Sequence, residues 1–307
     1  MGIHNRWGST WKKGAGLEVD FHDVHFHASN PNIAYVGYDQ GLGRVDFGNY
    51  SMQWVWDGAA YVQESQPNQI ELGKKAGFNT SQIYYGDYFP ASYGDAYLMG
   101  QQDGGSFASV NSIQKRIFIG DGGAMFVNKQ DPTKAYGSTQ KGNIKATTIA
   151  TAPVSSGDYT SIGSIYNNHP NWITQFAGNN ADGAQMYIAD NTSIQRTSNS
   201  GASFTSIASH SWVSSVKVAV ENATNPIVYA IGRQSASPYG SDLMRIANAN
   251  STPSINTNTN VLDYWVDGTA DQISIDPNNN STVYITGSRG SAFKVTGANT
   301  ASPVITS

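Results

Sequence analysis

The chain of 307 residues contains no cysteine, and only 13% of its residues are charged, roughly half the usual fraction for a soluble domain. Without cysteine, a disulfide framework and a thiolate metal or redox site are both excluded. The 18 Lys and Arg residues against 22 Asp and Glu residues give a net charge of −4. A mildly acidic chain lacks the basic surface with which proteins bind phosphates, so no nucleic-acid partner is expected.

Long apolar runs are also absent, and none approaches the ~20 residues that span a bilayer, so no membrane insertion is expected. The chain opens with Met1-Gly2-Ile3-His4, without the apolar core of a signal peptide. We nevertheless expect an extracellular, cell-surface or virion location, reached after removal of a leader or by another route such as phage lysis. The oligomeric state is left open.

What the chain does contain is glycine, 32 residues, and an 11% share of aromatic residues. Much of the rest is Asn, Ser, Thr and Gln. Glycine and short polar side chains favour tight turns, so the composition predicts many short strands joined by turns. It disfavours a helical bundle.

An internal repeat begins with a tyrosine in a short apolar strand, followed by a glycine or polar turn and a second strand. Six copies occur at a mean spacing of about 50 residues, which is typical of four-stranded propeller blades. The tyrosines of the six copies are Tyr35, Tyr97, Tyr136, Tyr187, Tyr229 and Tyr284.

A second marker keeps register with the tyrosines. An Asn-Pro or Asp-Pro dipeptide precedes four of them, and proline cannot donate to a strand ladder, so each dipeptide predicts the turn between a blade's first and second strands. The prolines of these dipeptides are Pro31, Pro132, Pro226 and Pro277. The two markers predict an all-β fold, a single β-propeller over residues 1–307 with six four-stranded blades.

The segment from Thr197 to Phe204 reads Thr-Ser-Asn-Ser-Gly-Ala-Ser-Phe and resembles the Asp-box, with Asn199 at the Asp position. Weaker copies lie at residues 45–49 and 5–11. On these residues the chain is similar to the Asp-box (BNR-repeat) propeller superfamily, which includes sialidases, sortilin-like receptors and xyloglucanase-type glycoside hydrolases. The resemblance implies that each such turn joins the third and fourth strands of a blade.

The N-terminal copy bears on how the ring closes. If it is a turn of that kind, residues 7–13 form a fourth strand without its blade. Residues 292–296 read as a third strand followed only by a short polar tail. We therefore expect the N-terminal strand to complete the last blade, which removes exposed sheet edges. The alternative is a piece of a longer propeller or tandem array.

Three aspartates are candidates for catalysis. Residues 35–44 are similar to a segment of xyloglucanase-type enzymes whose aspartate is catalytic, and Asp39 matches that position, although residues 40–43 depart from the pattern. Asp103 and Asp121 lie in turns similar to those of sortilin-like propellers. Glycoside hydrolysis needs two carboxyl groups about 5–5.5 or 6.5–9.5 Å apart, so Asp39 would act with Asp103 or Asp121. The resemblance implies that such enzymes place their acids on two propellers, and this chain has room for one. The alternative role of a turn aspartate is to cap backbone amides.

The residue four positions after each repeat tyrosine is polar in every copy. Equivalent positions of symmetric blades converge near the central channel, and amides and carboxylates suit hydroxyl-rich ligands such as sugars. The alternative is that these side chains hydrate the channel or hold the turns. The positions are Asp39, Gln101, Gln140, Asn191, Arg233 and Ser288.

The segment before Tyr97 is rich in aromatic residues, which stack on sugar rings or enlarge interfaces, although about half of them are expected to be core residues. The candidate ligand-binding tyrosines are Tyr84, Tyr85, Tyr88 and Tyr93.

Asp23, His25 and His27 have a spacing that could supply metal ligands, but three ligands on one strand rarely converge on an ion. We therefore expect neither a metal nor a cofactor. The polar stretch 248–260 is expected to be an exposed loop.

These observations favour a non-catalytic propeller at a cell or virion surface, a glycan- or protein-binding adhesion module such as a phage tail or adhesin component. One alternative is a glycoside hydrolase that uses Asp39 with Asp103 or Asp121. Another is a structural spacer in a surface assembly.

Overall fold

The computed structural model of the protein describes residues 4–7, 10–13, 21–38, 41–56, 61–71, 83–111, 113–149, 159–162, 172–190, 192–212, 214–234, 240–262 and 264–306. The chain divides into two compact units, residues 1–82 and 83–307. Nearly all regular elements in the described ranges are β-strands, and the sheets are antiparallel throughout, as the composition predicts.

The first unit holds a two-stranded hairpin and one four-stranded sheet. The hairpin pairs β1 (His4–Trp7) with β2 (Thr10–Lys13). The sheet has the order of the chain and consists of β3 (Phe21–His27), β4 (Asn30–Tyr38), β5 (Gly41–Trp56) and β6 (Tyr61–Glu71). The weak Asp-box copy at residues 45–49 falls inside the long strand β5, at a register shift between Asp46 and Tyr50, so it joins no strands.

The second unit contains five four-stranded sheets in the described ranges. The first is β7 (Ile83–Tyr88), β8 (Tyr97–Gln101), β9 (Gly105–Val110) and β10 (Ile113–Phe118). The second is β11 (Met125–Val127), β12 (Lys134–Ser138), β13 (Ile144–Thr148) and β14 (Thr160–Ile162). The third is β15 (Phe176–Gly178), β16 (Met186–Ala189), β17 (Ser193–Thr197) and β18 (Thr205–Ser209).

The last two sheets follow the same plan. The fourth is β19 (Ser214–Val220), β20 (Val228–Arg233), β21 (Ser241–Ala247) and β22 (Ser254–Leu262). The fifth is β23 (Ala270–Asp276), β24 (Asn279–Gly287), β25 (Ala292–Thr296) and β26 (Val304–Thr306). The helical segments among the described residues are one 3-10 turn, Ala91–Tyr93, and the four-residue helix α1 (Tyr264–Asp267).

Within the second unit the first strands of successive sheets contact one another: β7 contacts β11, β11 contacts β15, β15 contacts β19, and β19 contacts β23. Each sheet runs in chain order from this inner strand to its outer fourth strand. Four-stranded antiparallel sheets arranged with their first strands innermost are the blades of a β-propeller. The fold is therefore an all-β propeller fold, as predicted.

The core lies between neighbouring blades. One cluster packs Tyr187 and Ile194 of the third sheet against Val228 and Ile246 of the fourth. A sheet with a neighbouring blade on each side is covered on both faces. Strand β20 is therefore buried along nearly its whole length, and its residues do not alternate between buried and exposed. The outer strand β26 is exposed at every position.

All six repeat tyrosines lie on the second strand of a four-stranded sheet, which the repeat predicted. Tyr136, Tyr187 and Tyr229, in the three middle sheets of the second unit, are fully buried. Tyr97 and Tyr284, in the first and last sheets of that unit, are 42% and 43% exposed. The three tyrosines whose sheets have a neighbouring blade of this unit on each side are therefore the buried ones. The Asn-Pro and Asp-Pro dipeptides fall at the junction of first and second strands, as expected.

Two details differ from the sequence predictions. The tail after residue 296 was expected to be a short polar stretch, but its residues Val304–Thr306 form the fourth strand of the last sheet. The tail turns back because Gly297 adopts a left-handed φ of 65° and accepts a hydrogen bond from Thr300 N at 2.9 Å. The polar stretch 248–260 was expected to be a loop, but from residue 254 onward it forms β22, the outer strand on which polar side chains meet water.

The turn at 197–204 joins the third and fourth strands of its sheet. Asn199 Oδ1 accepts hydrogen bonds from Ser203 N at 2.9 Å and from the Thr197 hydroxyl at 2.9 Å. Gly201 has a φ of 90°, which only glycine adopts without strain, and its N–H donates to Thr197 Oγ1 at 2.9 Å. The side chains of this turn thus satisfy its backbone.

Candidate ligand-binding site

The candidate site lies at one end of the second unit. Since strands alternate in direction, the turn between a blade's second and third strands and the loop from its fourth strand to the next blade emerge at the same end. The turn at residues 101–105 follows β8, and the loop at 119–124 follows β10. Two of the three candidate acids, Asp103 and Asp121, therefore come together there. Asp39 lies outside the described residues.

Asp121 is the centre of this arrangement. The backbone N–H of Asp103 donates to Asp121 Oδ1 at 2.8 Å, and the indole Nε1–H of Trp172 donates to Asp121 Oδ2 at 3.3 Å. The Asp121 residue is only 8% exposed. Both carboxylate oxygens therefore bind N–H groups of neighbouring segments, which is the role of a carboxylate that fixes loops.

Trp172, whose indole N–H binds Asp121, is largely exposed to solvent. It lies just before β15, and 58% of its surface is exposed. Its backbone carbonyl accepts a hydrogen bond from Lys141 N at 2.9 Å, and Lys141 Nζ lies 5.4 Å from the centre of the indole ring. An exposed indole that is anchored through both its N–H and its backbone forms a rigid aromatic platform.

Glycines allow the loops under the platform to approach closely. A Cβ on Gly122 would lie 2.4 Å from Gly105 O and 2.7 Å from Gln101 N. A Cβ on Gly100 would lie 2.0 Å from Gly123 O. Gly122 N instead donates to Gln101 O at 2.9 Å, which joins the two segments. The glycines of this region are therefore required by packing.

The predicted tyrosines divide between the two ends of strand β7. Tyr84 lies at the site end, where its hydroxyl donates to Gln102 Oε1 at 2.8 Å. The Tyr85 hydroxyl lies 3.1 Å from Lys217 Nζ. Lys217 belongs to β19, the inner strand of the fourth sheet of this unit. Tyr88 is exposed at the opposite end of β7, and Tyr93 stacks on Phe89 at 5.3 Å. The four tyrosines do not form one patch.

Of the polar positions four residues after the repeat tyrosines, the four in the described part of the second unit lie at the site end, beside the turns after the second strands. Gln140 pairs with Ile173 in an isolated bridge next to Trp172, and Gln101 is buried at the end of β8. Arg233 ends β20, and Ser288 Oγ accepts a hydrogen bond from Thr269 N at 3.1 Å. Asn191 lies outside the described residues.

A histidine occupies the same end of the third blade. His210 Nδ1 accepts a hydrogen bond from Trp212 N at 3.2 Å, and the two rings stack at 4.6 Å. Burial lowers the pKa of His210, and the nearby Asp190 carboxylate opposes this only in part. Burial raises the pKa of Asp190, but hydrogen bonds from Thr192, Gln195 and Ser193 outweigh it and leave that pKa low.

No group of three or more His, Asp or Glu side chains placed to hold a metal occurs among the described residues. Of the Asp-x-His-x-His spacing, the Asp23 side chain lies outside the described residues, and His27 Nδ1 accepts a hydrogen bond from Ser29 N at 3.2 Å. Among the described helices, none has the length and apolar character of a membrane span.

Sequence reasoning missed Trp172 and Lys141. Trp172 is one of seven tryptophans in the chain and belongs to none of the motifs; its only signal was a large aromatic residue in a polar stretch before a strand. Lys141 directly follows Gln140, one of the candidate ligand-binding residues, but a lysine in a polar turn does not by itself indicate a binding site. Their importance comes from the contact with Asp121, which lies 51 residues before Trp172 in the chain.

Comparison with known proteins supports the fold. No family model matches the chain, and no curated protein is similar to it in sequence. Among solved structures, the crystal structure of an ancestral GH74 enzyme is similar, with a TM-score of 0.53 and 10% sequence identity. The match covers 91% of this chain but 36% of that chain, so this protein spans about a third of its length. At this identity the similarity shows a shared β-propeller fold alone.

Proposed function

We propose that the protein is a glycan-binding propeller module, acting at an extracellular, cell or virion surface, and that the Trp172 platform is its ligand site. The observation that carries the proposal is the exposed indole of Trp172, whose N–H is hydrogen-bonded to the Asp121 carboxylate. A fixed aromatic ring stacks on the apolar face of a pyranose at little entropic cost.

Polar groups around the platform suit sugar hydroxyls. Gln140 supplies an amide next to Trp172, and Gln102 and Tyr84, which are hydrogen-bonded to each other, lie at the same end of the unit. Amides both donate and accept hydrogen bonds, as sugar hydroxyls do. The solved structure similar in fold is a GH74 enzyme, which supports a carbohydrate ligand by analogy of fold only.

The binding test uses a matched pair of variants. The wild type is screened on an array of plant and bacterial polysaccharides, and the affinity for the best oligosaccharide is measured by calorimetry. Trp172→Ala is expected to weaken binding at least tenfold, equivalent to about 1.4 kcal/mol. Tyr284→Ala serves as the control, because Tyr284 is also exposed and also lies beside a lysine, Lys294 at 5.9 Å. Equal losses for both variants, or no binding by the wild type, would sink the proposal.

Glycoside hydrolysis is the second candidate, favoured by the fold shared with the GH74 enzyme. It would use Asp39 with Asp103 or Asp121. Against it, both oxygens of Asp121 accept N–H hydrogen bonds that hold its loops together, so this side chain already has a structural role. Release of reducing ends from a bound polysaccharide by the wild type, and its loss in Asp39→Asn, would establish hydrolysis. Binding without release of reducing ends supports the binding module.

A further inference from the structure

We propose that the Trp172 platform takes an anionic glycan, whose sugar carries a carboxylate or a sulfate ester, and that Lys141 recognises the anion. The inference rests on the proposed function, because it concerns the same surface. It names the chemical class of the ligand, which neither the repeat nor the shared fold specifies.

The Lys141 ammonium is held at the platform by its backbone. Lys141 N donates to Trp172 O at 2.9 Å, and Gly142 N donates to Thr174 Oγ1. These bonds attach the turn at 140–143 to the segment that carries the indole. With Nζ 5.4 Å from the ring centre, the ammonium lies within reach of an anionic substituent on a sugar that binds at Trp172.

This charge is not neutralised by a carboxylate in the part of the chain that the structure describes. The ion pairs found there join Arg44 to Asp46, Lys129 to Asp87 and Lys134 to Asp131. The sequence directly before Trp172, residues 163–171, contains no Asp or Glu. The Lys141 residue is exposed, so its ammonium is accessible to a ligand at the surface.

A second lysine raises the local potential. Lys145 is 5% exposed, and its Nζ donates to Ile119 O at 3.4 Å, two residues before Asp121. Lys145 Nζ also lies over the ring of Tyr159, 4.2 Å from its centre. A buried ammonium compensated by a carbonyl and an aromatic face places a second positive charge under the loop, which offsets the negative charge of Asp121 for an anion at the surface.

The backbone at Lys141 points the same way. Lys141 has a φ of 54° and is followed by Gly142 at 83°, the pattern of a hairpin turn whose first central position is usually Asn, Asp or Gly. A lysine in the left-handed region is uncommon. The chain adopts this conformation at the position whose side chain reaches Trp172.

The test compares ligands that differ only in charge. An oligogalacturonide is paired with its fully methyl-esterified form, and a sulfated dextran oligosaccharide with the neutral one, so that carboxylate and sulfate are distinguished. Calorimetry is expected to show at least tenfold tighter binding of one anionic member. Lys141→Gln should abolish that preference, and Lys141→Arg should retain it. Lys294→Gln is the matched control and should also retain it.

Lys141→Asn checks the turn, because Asn suits the left-handed conformation. It should behave like Lys141→Gln if the charge is what matters. Equal affinity of the wild type for both members of each pair would overturn the anion proposal. If Trp172→Ala still abolished that binding, glycan binding itself would stand. Binding of none of the glycans tested would overturn both.

Discussion

Trp172 and Asp121 join two successive blades: the indole Nε1–H of one interblade loop donates to the carboxylate Oδ2 of the preceding one at 3.3 Å. The same carboxylate accepts the Asp103 N–H at 2.8 Å through its other oxygen. One buried acid thus fixes three loops and orients the exposed aromatic ring. The site is therefore a set of loops held by hydrogen bonds, and its stability and binding should depend on each member.

Replacing Asp121 tests this directly. Asp121→Ala leaves two N–H groups without their acceptor, which costs about 1–3 kcal/mol for a buried group. We expect the free energy of unfolding to fall by about that amount and ligand affinity to fall with it, because the indole loses its orientation. Chemical denaturation and calorimetry measure the two effects. Asp271→Ala, at an exposed position of β23, should change neither.

Gly122 should tolerate no side chain. In Gly122→Ala the new Cβ would lie 2.4 Å from one backbone atom and 2.7 Å from another, so the loops must separate. Overpacking of this kind costs typically 1–3 kcal/mol, and the Gly122→Ala protein should melt at lower temperature and bind glycan weakly. Gly290→Ala, where a Cβ meets nothing within 4 Å, should cost only the backbone strain of its left-handed φ. A Gly122→Ala protein as stable as the wild type would contradict the described packing.

His210 should make stability depend on pH. Its pKa is lowered from 6.5 by burial, so the unfolded chain takes up a proton at a higher pH than the folded one. The contribution of the neutral imidazole is complete above the unfolded pKa of about 6.5 and is lost as pH falls below it towards the folded pKa. Denaturation between pH 7.5 and 5 should show this decline. His210→Asn keeps an acceptor for Trp212 N and should flatten it, whereas a variant of the exposed His25 should not.

Tyr229 connects the last two blades. Its buried hydroxyl donates to Asn280 O at 2.8 Å, so Tyr229→Phe removes one interblade hydrogen bond and leaves the ring in place. We expect a loss of about 0.5–1.5 kcal/mol in the free energy of unfolding, measured by urea denaturation. Tyr229→Ala also empties the ring's space and should cost about 3–5 kcal/mol. Equal costs for the two variants would show that ring packing is not the larger effect.

The repeat could be recognised in the sequence because each blade needs the same residue types at the same positions. Tyr136, Tyr187 and Tyr229 occur where a second strand is buried on both faces, and the Pro of each dipeptide marks a turn whose N–H is not needed by a ladder. The tail strand Val304–Thr306 was overlooked because three exposed residues at an outer edge need no distinctive pattern.

The sequence predicted only some residues of the candidate site. Asp103 and Asp121 were selected by their turns, and the structure brings both to the same end of the unit. Tyr84 and Tyr88 were selected together, but a strand of six residues carries them to opposite ends. Trp172 had no motif, since its role depends on a partner in another blade.

The sequence by itself determined the class of fold, the length of the repeat and the position of the turns, because hydrophobic strands and turn residues act over a few neighbouring positions. Only the tertiary structure decided that Asp121 holds Trp172 and that Lys141 lies over its ring. Those contacts join loops of different blades, and the packing of blades against one another sets their distances.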